Sequence, residues 1–202
     1  MSPLRIVLGL IPFALFQLLA TAMPVGPAAL IGMAAAIAAV LLDLRGGVKA
    51  VPAAGVVILG GLALVGFLAA PPVVAFVGDY GRGLATLLLA LFILGTAPFA
   101  PFTAAYARQS VAKQYWRSLR FVATNRRISL MWGLAVLAMS VGHLLASALV
   151  GSGAAFPGLV VILNWGVPIA AIVATIKYTA RTATAAGSTG SAPADPTVST
   201  RP

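Results

Sequence analysis

A single histidine, His143, sits in a long apolar run, with Ser140 three residues before it and Ser147 four residues after it. On a helix these three share a face. They extend a wider row of alternating steps of four and three: Ser129, Gly133, Val136, Ser140, His143, Ser147. An ionisable side chain inside a bilayer points to a proton relay or a substrate contact. The same row suits a neutral imidazole hydrogen-bonded across a helix interface, where small neighbours allow close approach. A relay needs a chain of ionisable groups. The sequence has no Glu, and its three carboxylates, Asp43, Asp79 and Asp195, are expected in loops and tail. Packing is therefore the preferred role for His143.

Gln17, Thr96, His143 and Asn164 are the polar residues expected within apolar spans, and together they define a testable intramembrane polar site. Pro98, Pro101 and Pro168 each remove a helical donor, so helix breaks or kinks are expected there. Broken helices expose backbone at transporter binding sites, and they also occur as plain kinks whose freed carbonyls find other partners. Enzymatic chemistry finds little support. One His and three separated Asp cannot assemble a hydrolytic metal centre. No Ser has an evident base with an orienting acid, and no phosphate loop ending in Lys and Ser or Thr is present. The absence of cysteine excludes disulfides, thiolate metal sites and thiol catalysis. No catalytic residue, metal site or cofactor is expected.

The elements that position these residues follow from composition. Of 202 residues, 61% are hydrophobic and 8% charged, whereas a soluble domain carries roughly 25% charged residues. Several runs reach the ~20 apolar residues that cross a ~30 Å hydrocarbon layer. Every backbone polar group must be satisfied there, which leaves helices or a closed barrel. Runs such as 84–95 are apolar on every side rather than alternating, so the spans are helices. The expected fold is all-α: a polytopic transmembrane bundle of about six spans in three hairpins.

The spans are expected near 4–22, 27–42, 52–70, 84–106, 128–150 and 158–178, within a membrane domain of 1–181. Breaks fall at Met23 to Pro27, Arg45-Gly46-Gly47, Pro71-Pro72, Gly78 to Gly83 and Gly151-Ser152-Gly153. In a six-span drawing, twelve of the 13 Lys and Arg residues lie on one side and Arg82 alone on the other. The positive-inside rule then puts both termini in the cytoplasm. Arg5, the apolar stretch after it and Ala20-Thr21-Ala22 also resemble a cleavable secretory signal, although a retained helix explains the same residues. Residues 182–202, rich in Ala, Ser, Thr, Gly and Pro, read as a disordered cytoplasmic tail.

Between spans four and five, residues 109–127 place Val111, Tyr115, Leu119 and Val122 within an arc of about 80° at 100° per residue. Lys113, Arg117 and Arg120 fall opposite, with Trp116 at the boundary. This pattern predicts a cytoplasmic amphipathic helix lying in the membrane interface, its cations toward anionic lipid or a partner protein. The net charge of +10 arises from residues between spans, so it does not indicate nucleic-acid binding. Two small-residue rows, Ala138/Gly142/Ala146 and Ala28/Gly32/Ala36, suit close helix packing, within the chain or in a homo-oligomer.

Pro101-Phe102-Thr103, Tyr106-Ala107-Arg108, Tyr115-Trp116, Phe121, Asn125 and Trp132-Gly133 resemble a pattern in bacterial inner-membrane proteins labelled intracellular septation protein A-like. The resemblance covers residues 101–133, and this chain departs from the pattern at Gln109 and Ala112. It implies a multi-pass inner-membrane protein linked to the cell envelope, and it supplies no reaction. The sequence therefore reads as a structural or interaction component of the bacterial envelope, with a small transporter or channel subunit as the alternative.

Overall fold

The computed structural model describes residues 3–42, 47, 49–154 and 156–188, and every regular element among them is helical. Their order is α1 (Pro3–Gly9), α2 (Ile11–Leu19), α3 (Val25–Leu42), α4 (Ala50–Leu68), α5 (Pro71–Thr96), α6 (Thr103–Ala107), α7 (Leu119–Gly151), α8 (Pro157–Val161) and α9 (Val167–Ser188). A π turn, Ile162–Gly166, joins α8 to α9. Five helical stretches are long and apolar enough to cross a membrane: α3, α4, α5, α7 and the α8–π–α9 run. The protein is an all-α membrane-type bundle.

Several boundaries differ from expectation, each for a local reason. The first span is two short helices. Pro12 cannot donate to the carbonyl of Leu8 and crowds it, so the chain tightens at Leu10, whose N–H bonds Val7 O at 2.9 Å, before α2 begins. The fourth span runs over 71–96 rather than 84–106. Pro71 starts α5 at its first turn, where a missing donor costs nothing. The expected loop at Gly78 to Gly83 lies inside α5, which places Asp79 and Arg82 on one helix, Asp79 exposed and Arg82 half-buried. Past Thr96 the helix gives way at Pro98 and Pro101, and α6 forms separately.

The connection over 109–127 is not one amphipathic helix. Lys113–Tyr115 form a single 3-10 turn, and Trp116 Nε1 donates to Val111 O at 2.8 Å to close it. Ser118 then caps α7, its hydroxyl accepting from Phe121 N at 3.2 Å. From there the helix continues without interruption into the fifth span. At the other end of the chain, α9 carries residues 182–188 of the expected tail as helix, with Arg120 Nη2 donating to Ala185 O at 2.9 Å. The remainder of that tail, with Asp195 and Arg201, lies outside the described residues, as do Asp43 and Arg45.

The core runs from Ile6, Phe13 and Phe16 through Leu59, Leu62 and Leu89 to Ile93, Ile128, Trp132 and Val136. Large apolar side chains such as Leu42, Val57, Leu68, Leu91 and Val150 are exposed, as a lipid-facing surface requires. Consecutive helices pack as neighbours: α3 on α4, α4 on α5, α5 on α7 and α7 on α9. One end of the bundle therefore gathers the α2–α3, α4–α5 and α7–α8 turns. The opposite end gathers Arg5, Lys49 and the basic 108–127 connection.

Where lipid surrounds the helices, association depends on close packing rather than on a hydrophobic drive. The α3–α4 contact illustrates this. A Cβ on Gly66 would fall 2.5 Å from Gly26 Cα and 2.7 Å from Gly26 N, a clash with backbone that no rotamer relieves. We therefore expect Gly66→Ala to destabilise the detergent-solubilised protein by about 1–3 kcal/mol, read as a lowered midpoint in thermal unfolding. Gly95→Ala, at a helical position with nothing within 4 Å of the added carbon, should leave the midpoint unchanged or raise it.

Candidate functional site

The most concentrated intramembrane chemistry forms around Arg82. It lies eleven residues into α5, about 16 Å along the helix from Pro71. Gln17 reaches it from α2. Arg82 Nε donates to Gln17 Oε1 at 3.0 Å, while Gln17 Nε2 donates to Arg82 O at 3.0 Å and to Thr86 Oγ1 at 2.7 Å. Thr86 Oγ1 in turn donates to Arg82 O at 2.8 Å. On its other side the guanidinium stacks over the Trp165 ring, 5.5 Å from the centroid, a cation–π contact strengthened by exclusion of water. Arg82 Nη2 is enclosed and has no hydrogen-bond partner.

The π turn brings Trp165 and Asn164 to this place. In a regular α-helix the ring of Pro168 would crowd the carbonyl of residue 164 and leave it without a donor. The turn before Pro168 opens instead into π geometry over 162–166, a form that recurs at functional sites. Asn164 Nδ2 donates back to Val160 O at 3.1 Å, which fixes the amide so that Oδ1 faces His143. His143 Nδ1 lies 2.9 Å from that oxygen. An amide oxygen only accepts, so the imidazole proton sits on Nδ1.

The serines flanking His143 bind α7 to α5. Ser140 Oγ donates to Gly83 O at 3.0 Å, and Ser147 Oγ donates to Asp79 O at 2.6 Å. Gly83 and Gly133 make the seam close enough for this: a Cβ on either would meet a leucine side chain at 2.5 to 2.6 Å. A cleft of about 310 Å³ opens beside the seam, lined by Ala20, Asp79, Tyr80, Arg82, Ser147 and Asn164 among others. Gly78 and Gly151 also border it, which places it toward the bundle end that carries the α4–α5 and α7–α8 turns.

Of the four residues expected to share a polar site, His143 pairs with Asn164, and Gln17 pairs with Arg82, which was not among them. The two pairs meet where Arg82 lies on Trp165 and lines the same cleft as Asn164. Thr96 is elsewhere: it donates to Phe92 O at 2.7 Å in its own helix, about 21 Å along α5 from Arg82. The sequence reading missed Arg82, Asp79, Thr86 and Trp165. One signal was available, since Arg82 was the single cation off the basic side. No group of three or more His, Cys, Asp or Glu converges to hold a metal among the described residues.

Lys113, Tyr115 and Arg117 are exposed on the connection, and Arg108 stacks over Trp116 at 5.4 Å from its ring centroid. Residues that carried the family resemblance are largely interior. Phe102, Thr103, Tyr106, Asn125 and Trp132 are buried. Thr103 Oγ1 lies 2.9 Å from both Asn125 O and Ser129 Oγ, and Trp132 Nε1 donates to Thr179 Oγ1 at 3.1 Å. These contacts lock α6 onto α7 and α7 onto α9. A second cleft, of about 530 Å³, lies at the basic end and is lined mainly by apolar residues with Arg5, Lys49, Tyr106 and Gln109.

Taken as a whole, the arrangement is an apolar helical bundle of the integral-membrane class with a hydrogen-bonded polar cluster inside it. The chain matches no protein-family model, and no curated protein or solved structure matches it.

Gln17 accepts from Arg82 Nε and donates two further bonds, to Arg82 O and Thr86 Oγ1, so its loss should exceed that of Thr86. Gln17→Leu is expected to cost about 1–3 kcal/mol by leaving a buried donor unsatisfied. Thr86→Val, which keeps the shape and the Gln17–Arg82 pair, should cost less. Thermal unfolding of the two variants in the same detergent checks the order.

Proposed function

We propose that this chain is a multi-pass bacterial inner-membrane protein, termini in the cytoplasm and its first segment retained, that binds a small polar solute inside its bundle, as a transporter or channel subunit does. The observation that carries the reading is Arg82. Its guanidinium is held inside apolar helices by Gln17 and Trp165, keeps one nitrogen unpartnered and lines an open cleft. Ionisable groups at such depth are costly and mark solute or ion pathways. The π turn and Pro168 are the kind of interrupted helix from which transporters build midplane sites. Recognition, not bond-making, is the role assigned to these residues.

Retention of the first segment is supported by Phe13 and Phe16, which pack into the core, and by Gln17 itself. The cytoplasmic placement of the termini is supported by the basic residues at one end of the bundle.

The purified full chain in proteoliposomes should carry members of a broad solute panel faster than protein-free vesicles. His143→Ala, which removes the hydrogen bond joining α7 to Asn164 at the cleft, should lower that flux about tenfold, the equivalent of ~1.4 kcal/mol. Absence of flux across the panel would reject the transport reading.

A second reading has its own support. The exposed cations Lys113 and Arg117 beside Tyr115 suit contact with anionic lipid or with a membrane-protein partner. The resemblance to septation protein A-like proteins favours an envelope setting, in which the chain is a structural or interaction component. Photocrosslinkers at Tyr115 and Arg117 in native membranes should then capture one partner reproducibly. Recovery of lipid alone would eliminate the partner and leave a membrane-surface contact.

A further inference from the structure

We propose that the solute taken by the Arg82 cleft is a small zwitterion of the amino-acid type, its carboxylate on Arg82 and its ammonium on Asp79; this rests on the solute-site reading above. Both residues line the cleft, and their spacing of three on α5 puts them on one face of the helix. Arg82 lies deeper from the Pro71 end than Asp79, which is exposed toward the mouth. No ion pair joins the two, so their opposite charges do not satisfy each other.

The protein's own hydrogen bonds leave complementary groups open to a ligand. Gln17 occupies Arg82 Nε and Nη2 is enclosed, which leaves Nη1 as the nitrogen that a carboxylate can reach. A guanidinium N–H gives a carboxylate a charge-assisted hydrogen bond, and stacking on Trp165 fixes the plane of the group. At Asp79 the neighbouring Ser147 hydroxyl bonds the backbone carbonyl rather than the carboxylate. A simple anion would have to pass the Asp79 carboxylate to reach Arg82, and a simple cation would then face the guanidinium. A molecule with both charges a few bonds apart satisfies both in the order in which the cleft presents them. The rest of the wall, with Ala20, Ala146 and Val150, suits a small apolar side chain, and about 310 Å³ accommodates a molecule of that size.

The test is equilibrium binding to the full chain in phosphatidylglycerol nanodiscs. The probes are glycine, alanine, valine, leucine and phenylalanine, with propionate and ethylamine as the alanine analogues lacking one charge each. At least one amino acid should bind saturably; for alanine, both analogues should bind about tenfold or more weakly. Asp79→Asn should abolish the advantage of alanine over propionate, and Arg82→Gln its advantage over ethylamine. Asp79→Asn keeps the proposal falsifiable if Arg82→Gln fails to fold, because the Ser147 bond uses only the backbone of residue 79. Propionate binding as tightly as alanine, with Asp79→Asn silent, would overturn the zwitterion while leaving a solute site in place. Binding of none of the five amino acids would overturn it too, and flux of other solutes would then decide the broader reading. Loss of alanine binding when phosphatidylethanolamine replaces phosphatidylglycerol would assign the cleft to a lipid headgroup and overturn the free-solute proposal.

Discussion

A guanidinium about 16 Å inside an apolar helix has to be made tolerable before that helix can pack. The sequence around Arg82 answers that demand from three directions. Gln17 supplies an acceptor from α2, Trp165 supplies an aromatic face from the π turn, and glycines at 81 and 83 bring neighbouring helices close. Each of these elements is itself unusual. The first segment is broken at Leu10, the last is widened before Pro168, and α5 carries three glycines within six residues. Their irregularities have separate local causes, Pro12, Pro168 and the glycines, yet converge on one side chain.

The same constraint explains why hydroxyl groups recur along the α5–α7 seam. In lipid, apolar side chains gain little by leaving one oily environment for another, so helices associate through close contact and hydrogen bonds. Ser140 and Ser147, about two turns apart on α7, each donate to an α5 carbonyl, and small residues between them keep the axes near. Such bonds average well under 1 kcal/mol apiece in membranes. Their value lies in fixing the rotation of α7 so that His143 faces Asn164. A seam made only of Leu and Val would tolerate rotation and lose that registry.

How much of this could be read from residues alone depends on the range of the interaction. The membrane helices were legible because hydrophobic length is a local property: Val25–Leu42 and Ala50–Leu68 fall within two residues of their expected bounds. The row through Ser140, His143 and Ser147 was legible because period alone sets a face. Arg82 was misplaced because glycine-rich 78–83 reads locally as a loop, while the packing that holds it helical comes from Val25 on α3 and Leu144 on α7. The interfacial helix over 109–127 failed for the opposite reason. Its moment was real, yet a Ser118 cap and the Trp116–Val111 closure divide the segment at a point that periodicity does not register. Thr96 looked like a site residue by position, but a threonine in a membrane helix can satisfy itself on its own carbonyls, and this one does.

The two ends of the bundle therefore do different physical work. At the basic end, cations such as Lys113 and Arg117 are exposed, where each is individually cheap, while Lys49 is buried. At the other end Arg82 is half-buried and held in fixed geometry by Gln17 and Trp165, so its contribution is local rather than additive. Removing one surface cation changes a total, whereas removing Arg82 would leave Gln17, Trp165 and the widened turn without the group they enclose. Arg82 thus borders an open cleft while its Nη2 is enclosed by the protein, held by its neighbours without being neutralised by them.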